Sequence, residues 1–511
     1  MASRLTWAAC GMAAAAIAVG VGELVAALIG SGSIIAAVGA LVISLQPPGA
    51  KDLMVALFGE NDKLALEVGT AIGGILVGAL LGLLARRDLR LAVGGFVVFG
   101  LVAFLLLQQD PLNVVVGSAI TASVAVAAGI FVLSWLGGSL IPRASELSTA
   151  EPPPSPGMGR RGFVGLALTF VAVGGVLALI GRYLGSQVVS TSAPIPIPSP
   201  GQSLTPAPAG TEFGIAGLTP IVVPNADFYR IDTRLSVPRL DAATWSLRIH
   251  GMVEREVTLT YADLLAMPLM EQIVTIACVS NEVGGRLVGN ARWTGTRLLP
   301  VLEMAGVKPD ATQLVGRSFD GWTSGFPTAH LAGAGSDAMI AVVMNGEPLP
   351  AAHGFPARLI VPGLYGYVSA TKWITEIELT TLEAFDAYWI PLGWAKEAPI
   401  LTQSRIEVPR NGGRAPAGQV ELAGVAWAPT RGISRVEVLI DETEPWREAQ
   451  LSVPLSTAAW VQWRATVDLP AGAHTVQVRA TDGTGDTQTS DRTPPAPDGA
   501  RGHHSIRFTA E

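Results

Sequence analysis

Cysteine is nearly absent. The 511-residue chain carries two, Cys10 and Cys278, and because Cys10 lies in an apolar N-terminal run, Cys278 has no disulfide partner within its own region. Four-cysteine iron–sulfur clusters and cysteine-rich zinc modules are excluded with it, since each needs more thiolates than the chain owns. Histidine is almost as scarce: His250, His330, His353, His474, His503 and His504 all fall outside the apolar first 185 residues. A haem held by paired axial histidines inside a bilayer is thereby ruled out. Also missing is any basic cluster able to neutralise a run of phosphates, and the formal net charge is −7. That combination speaks against DNA or RNA as partners.

What the chain has in abundance is apolar length. A mean hydropathy of +0.43 and 58 glycines come largely from residues 1–185, whereas charge, tryptophan and proline concentrate beyond them. About 20 helical residues span the hydrocarbon of a bilayer, and the runs near 5–29, 65–85, 91–108, 113–141 and 163–184 meet that length. The spacing predicts an all-α transmembrane bundle over 1–185. A shorter run, Ile34 to Leu45, ends at Gln46-Pro47-Pro48 and reads as interfacial or re-entrant.

Arg4, Arg86, Arg87, Arg90, Arg143, Arg160 and Arg161 fall on one side if the chain starts inside and crosses five times. Lys51, Lys63 and Arg182 fall on the other. By the positive-inside rule everything after residue 186 lies outside the cytoplasm, on a multi-pass cell-membrane protein. Glu23 is the acidic group well inside a span, which makes it either a functional group or one tied up by a neighbouring helix. GRRGFVGLAL (Gly159 to Leu168) has the form of a twin-arginine export signal. Positive-inside topology alone explains the same two arginines.

Residues 186–212, including SAPIPIPSPGQSLTPAPAG, are rich in Pro, Ser and Gly, as expected of a semi-extended spacer. Short strands and helices mix over 213–402: WSLRIHG (Trp245 to Gly251) alternates like a strand, and Thr260 with Asp263 forms a capping box that opens a helix. Over 403–511, VELAGVAWA, SRVEVLID, VQWRATVDL and HTVQVRATD recur between turn signals, which predicts an immunoglobulin-like β-sandwich. His503-His504 beside the last strand reads as a surface pair rather than a metal site.

Cys278 sits where the apolar run QIVTIAC gives way to Ser280-Asn281 and Gly284-Gly285. On the residues alone several roles stay open. It is a small buried hydrophobe, or a nucleophile with His353 as base, or one ligand of a zinc that would need three more, or the single protein thiolate on a molybdenum whose pterin supplies two sulfurs.

Five stretches carry a resemblance that bears on this choice: NADFYRIDTRLSVP (Asn225 to Pro238), ACVSN (Ala277 to Asn281), ARWTGTRL (Ala291 to Leu298), MNGEPLPAAHGFPARLIVPGLYG (Met344 to Gly366) and TKW (Thr371 to Trp373). In this order and spacing the region 213–402 resembles the sulfite-oxidase-like molybdopterin oxidoreductases, a mixed α+β domain, and 403–511 resembles their C-terminal dimerisation-type domain. The resemblance implies a molybdenum–molybdopterin cofactor, with Cys278 as its catalytic thiolate ligand. It further implies pterin contacts at Tyr229, Arg230, Asp320, His353, Arg358, Ala370, Thr371 and Lys372. An arginine and a lysine suit the phosphate at the end of such a pterin, the first as a bidentate fork and the second as a point charge.

The departures from the family pattern are equally specific. Where sulfite oxidases place arginines after the cysteine, this chain has Glu282 and Val283, and where they have a tyrosine before Met-Asn-Gly it has Val342 and Val343. A carboxylate in place of an arginine repels a dianion. The expectation is a membrane-anchored, extracytoplasmic oxidoreductase that transfers an oxygen atom to or from a small oxyanion or S- or N-oxide, with reduction of an S- or N-oxide favoured over sulfite oxidation. Electrons come from a separate membrane or soluble protein, the other partners being the lipid bilayer and, through the sandwich, a second copy in a homodimer. A scaffold that keeps the fold without the chemistry and a sulfite dehydrogenase are the alternatives.

Overall fold

The computed structural model describes residues 3–46, 54, 57–58, 61–138, 160–187, 196–442 and 445–511. Lys51, Arg143, the Gly159 that opens the twin-arginine stretch, and residues 188–195 of the spacer lie outside them. The chain divides into two compact units, Met1–Thr191 with Thr233–Arg239, and Ser192–Asp232 with Leu240–Glu511.

The first unit is helical: α1 (Arg4–Ile29), α2 (Ile34–Ser44), α3 (Asp62–Ala85), α4 (Leu89–Leu107), α5 (Val115–Gly138) and α6 (Arg160–Gln187). Among the described residues five helices, all of these but α2, are long and apolar enough to cross a membrane. Leu80, Val98, Leu105, Phe131 and Leu179 point outward and exposed. Such an apolar surface is stable in hydrocarbon and a liability in water.

Helix α1 packs closely on α3 and α6 through glycine. A methyl on Gly11 would lie 1.9 Å from the Gly78 carbonyl oxygen, one on Gly82 2.1 Å from that of Trp7, and one on Gly20 2.2 Å from that of Gly174. Close backbone approach at small residues is the packing by which helices associate in lipid, where no hydrophobic drive is available. Glu23, 3 % exposed, is engaged by a neighbouring helix: its Oε1 accepts the Ser33 hydroxyl and the Ile35 N–H, each at 3.0 Å. Those donors belong to the N-terminus of α2, where a negative charge satisfies groups the helix leaves open.

The second unit contains two sheets and a sandwich. One sheet is ordered β2 (Val257–Thr260), β1 (Ser246–Gly251), β10 (Ile374–Thr380), β5 (Gln313–Ser318) and β6 (Thr323–Pro327). The other runs β3 (Leu269–Ala277), β4 (Val288–Arg297), β7 (Met339–Met344) and β8 (Glu347–Pro348), with β9 (Arg358–Ile360) also paired to β7. The predicted capping box is present, with Thr260 and Asp263 bonded reciprocally at the start of α7 (Tyr261–Ala266). In the sandwich one layer is β11 (Gln403–Val408), β13 (Gly418–Trp427), β17 (Val461–Leu469) and β16 (Gln450–Leu451). The second layer is β12 (Arg414–Ala415), β19 (His504–Ala510), β18 (Gly472–Asp482), β14 (Ile433–Ile440) and β15 (Arg447–Glu448). Its own core includes Leu422, Val438, Trp463, Val476 and Ile506.

Strand β3, which leads into Cys278, lies at the edge of its sheet. Unpaired edge groups recruit whatever backbone is within reach. The Gly201 N–H donates to the Leu269 carbonyl at 3.0 Å, the Glu271 N–H to the Gln202 carbonyl at 2.9 Å, and the Thr275 N–H to Ala458 of the sandwich at 2.9 Å. The proline-rich stretch is therefore docked from residue 201 onward, where composition alone reads as spacer. The large core of this unit also takes in Val425, Trp427 and Trp460 from the sandwich. Trp460 is fully buried and its indole N–H donates to the Ile221 carbonyl at 2.9 Å. Trp460→Ala should cost about 3–5 kcal/mol, read as a fall in the denaturant midpoint of the whole unit.

Candidate functional site

Cys278 follows β3 directly, at the open end of the β3–β4 hairpin, where Ala277 pairs with Val288. Its N–H donates to the Leu287 carbonyl at 2.8 Å and its carbonyl accepts the Asn281 N–H at 3.1 Å. The Asn281 side-chain oxygen accepts the Leu287 N–H at 2.8 Å, so the amide side chain closes the loop 278–287 from inside. The thiol is half-buried and in no disulfide. Glu282, in the same loop, is exposed.

Arg358 begins β9, opposite Ala341 of β7, and is 4 % exposed. It donates to the carbonyls of His353 at 3.0 Å and Ala370 at 3.4 Å and lies 5.0 Å from the centre of the Trp293 ring. Its buried Nε has no hydrogen-bond partner. Burial pushes the guanidinium down to about 10. His353 is buried and donates through Nε2 to the Asn225 carbonyl at 3.0 Å, leaving Nδ1 as the acceptor. Burial first, then the charge of Arg358, lowers it to about 4, so the ring is neutral at pH 7.

Tyr229 stacks on Phe228 at 5.2 Å, and its phenol is pushed up by burial and, secondly, by a negative charge on Cys278, against the opposing pull of Arg358. That places the tyrosine within electrostatic reach of both the thiol and the guanidinium. Lys372 donates to Asp232 at 2.7 Å and to the Ala352 carbonyl at 3.2 Å, and burial drives it down to about 8 despite that carboxylate.

The fold thus gathers Cys278, Tyr229, His353, Arg358, Ala370 and Lys372 from segments far apart in sequence. The others stand differently. Arg230 is exposed with its guanidinium on Asp232 at 2.9 Å. The Thr371 hydroxyl faces Ser324 at 2.6 Å, inside the neighbouring sheet. Asp320 accepts the Trp322 N–H at 3.3 Å within its own turn. Asp232, Asn225 and Trp293 belong to the cluster too, although residue spacing gave no reason to single them out. Their partners lie 140, 128 and 65 positions away.

The residues present fit an anionic cofactor carrying a metal. A buried guanidinium with carbonyls for partners and an unpartnered Nε is costly unless an anion completes it. Among the described residues no group of three or more His, Cys, Asp or Glu is arranged to hold a metal ion.

Comparison with known proteins bears on the same region. Residues 234–389 match the model of the oxidoreductase molybdopterin-binding domain, and 399–494 that of the Mo-co oxidoreductase dimerisation domain. Mitochondrial sulfite oxidase of Mus musculus is 29 % identical over 296 residues, 49 % of this chain and 54 % of that protein. The chain therefore spans about half the length of the curated relatives it matches. The oxidoreductase YuiH of Bacillus subtilis (strain 168) is 34 % identical over 149 residues, 29 % of this chain and 71 % of that protein. Among solved structures, the sulfane dehydrogenase SoxCD of Paracoccus pantotrophus aligns over 57 % of this chain and 83 % of that one, at 23 % identity and a TM-score of 0.49. With its motifs, its two matched domains and the YuiH relationship together, the chain belongs to the sulfite-oxidase-like family of molybdopterin-dependent oxidoreductases.

Proposed function

We propose that the protein is a membrane-anchored, extracytoplasmic molybdenum-cofactor oxidoreductase that transfers an oxygen atom, in the direction of S- or N-oxide reduction. The observation that carries this reading is the buried, incompletely partnered guanidinium of Arg358 within electrostatic reach of the Tyr229–Cys278 pair. When bound, the cofactor supplies the two-electron redox chemistry of the transfer. Cys278 holds its metal as a thiolate, Arg358 and Lys372 hold its anionic end, and neutral His353 offers Nδ1 as an acceptor. Tyr229, Arg230, Asp320, Ala370 and Thr371 complete the proposed contacts, Ala370 by orienting Arg358 through its carbonyl.

Substrate choice rests on charge. Exposed Glu282 disfavours a dianion beside the thiolate, and Val342 and Val343 are buried in β7 and bring no hydroxyl to it. The arginine-rich loops on one side of the bundle support extracytoplasmic placement, and the match to a dimerisation domain supports a homodimer. Electrons are delivered by a separate protein.

The purified full chain should contain about one molybdenum per polypeptide and oxidise a reduced viologen dye on addition of an S-oxide, with no sulfite-dependent dye reduction. A stable, metal-free protein would instead establish the scaffold. Retention of the cofactor should also depend on pH. Burial holds Lys372 down to about 8, below its ordinary 10.5, so its buried charge is unfavourable below about pH 8 and that cost is relieved as the pH rises towards 10.5. An anion restores the proton, so binding takes up protons above pH 8. Cofactor loss on dilution should therefore accelerate between pH 8 and 10, and a flat profile would exclude Lys372 as a contact.

A further inference from the structure

We infer that the C-terminal sandwich completes the thiolate site, with Arg405 and His504 as positioning residues for the Cys278 loop. This rests on the reading of Cys278 as the metal ligand. The loop is closed at its base by Leu287, and the Gly285 N–H to Glu282 carbonyl bond, 2.8 Å, folds its tip. The sandwich holds that tip from outside.

Arg405, on β11 and 6 % exposed, donates Nη1 to the Gly285 carbonyl at 2.6 Å and Nε to Glu407 at 2.9 Å. Glu407 in turn accepts the N–H and hydroxyl of Thr219 at 2.7 and 2.6 Å. A planar guanidinium with one edge fixed by a carboxylate has its remaining N–H aimed at a single place, and that place is the loop. His504, at the start of β19, accepts the Ile406 N–H on Nδ1 at 2.9 Å, which fixes the plane of its ring. The ring lies against Gly284: a methyl there would meet Cδ2 at 2.2 Å and Nε2 at 2.3 Å. Gly284 also has φ of 78°, so backbone and packing both demand glycine.

On the other side of Cys278 the same domain grips β3. The Thr275 N–H donates to the Ala458 carbonyl at 2.9 Å and the Trp460 N–H to the Thr275 hydroxyl at 2.8 Å. Both approaches to the sulfur are therefore set by the sandwich. A domain whose family description speaks of dimerisation has, in this chain, a second task within one polypeptide.

The test uses the full chain with Arg405→Lys, which keeps a cation for Glu407 but loses the fork, and with His504→Ala. Val438→Ala, in the sandwich's own core, is the control for general destabilisation. In cofactor-free chain from a host unable to make the pterin, Cys278 alkylation and amide exchange over residues 279–287 should both speed up about tenfold in the two clamp variants, the equivalent of one lost hydrogen bond. Val438→Ala should leave both rates at the wild-type value even where its melting temperature is equally lowered. In loaded protein the thiolate-to-metal charge-transfer absorption should move in the clamp variants with metal content unchanged. Unaltered loop rates in both variants, or equal acceleration by Val438→Ala, would overturn the inference. A wild-type spectrum lacking that absorption would defeat the reading of Cys278 as ligand, while the alkylation and exchange rates still decide whether the sandwich positions the loop.

Discussion

Cys278→Ser should abolish oxygen-atom transfer, by a factor of at least about 10³, while leaving the fold in place. A serine hydroxyl does not ionise near neutral pH and is a hard donor, whereas a soft, readily ionised thiolate is what a metal with two further sulfur ligands prefers. The position is half-buried, and backbone bonds together with the Asn281 and Arg405 side chains hold the loop. Exchange of sulfur for oxygen should then cost no more than about 1 kcal/mol of stability. Turnover with a reduced dye, metal content and the melting temperature, taken together, decide the matter. Unchanged turnover would remove Cys278 from the chemistry, and collapse of the melt would mean that the residue is structural.

Arg358→Met should produce two effects of opposite sign. In the empty protein the guanidinium is a buried cation with two carbonyl partners and an unsatisfied Nε, and burial already drives it down to about 10. An apolar side chain of similar length removes that charge, so the cofactor-free chain should melt at the same temperature or higher. Cofactor affinity should fall by about 10- to 100-fold, the value of one charge-assisted, forked hydrogen-bonding group. An arginine with a purely structural role behaves in the reverse manner, with a lower melting point and unchanged retention. Lys372→Met makes a useful contrast, because it takes from Asp232, with 5 % side-chain exposure, its buried ammonium partner and should destabilise the cofactor-free chain as well as the loaded one.

Local signals carried a good part of this architecture. The apolar runs gave the helices long and apolar enough to span a bilayer because its thickness fixes a length that composition reveals, and the Thr260–Asp263 box gave a helix start because a cap is made by residues three apart. The strand before Cys278 and the sandwich strands were legible from alternation between turn residues. Other features were not. Gly78 and Gly82 mark a close helix approach, yet their partners Gly11 and Trp7 lie about 70 positions earlier, and spacing within one helix cannot name the face it meets. The docking of residues 201–202 on β3 was hidden for the same reason, since a proline-rich composition describes the free chain and not the strand edge awaiting it.

By itself the sequence determined an apolar helical first part and a more polar, strand-rich remainder, the one cysteine available to that remainder, and the order of motifs that marks the family, all of them properties of residues near one another in the chain. The tertiary structure alone decided that Asp232 neutralises Lys372, that Arg358 remains incompletely partnered within electrostatic reach of Tyr229, and that the sandwich grips the cysteine loop. Each of these depends on distance in space between residues that the chain separates by up to about 220 positions, and burial, which sets the electrostatic strength of every such pair, exists only once the segments have packed together.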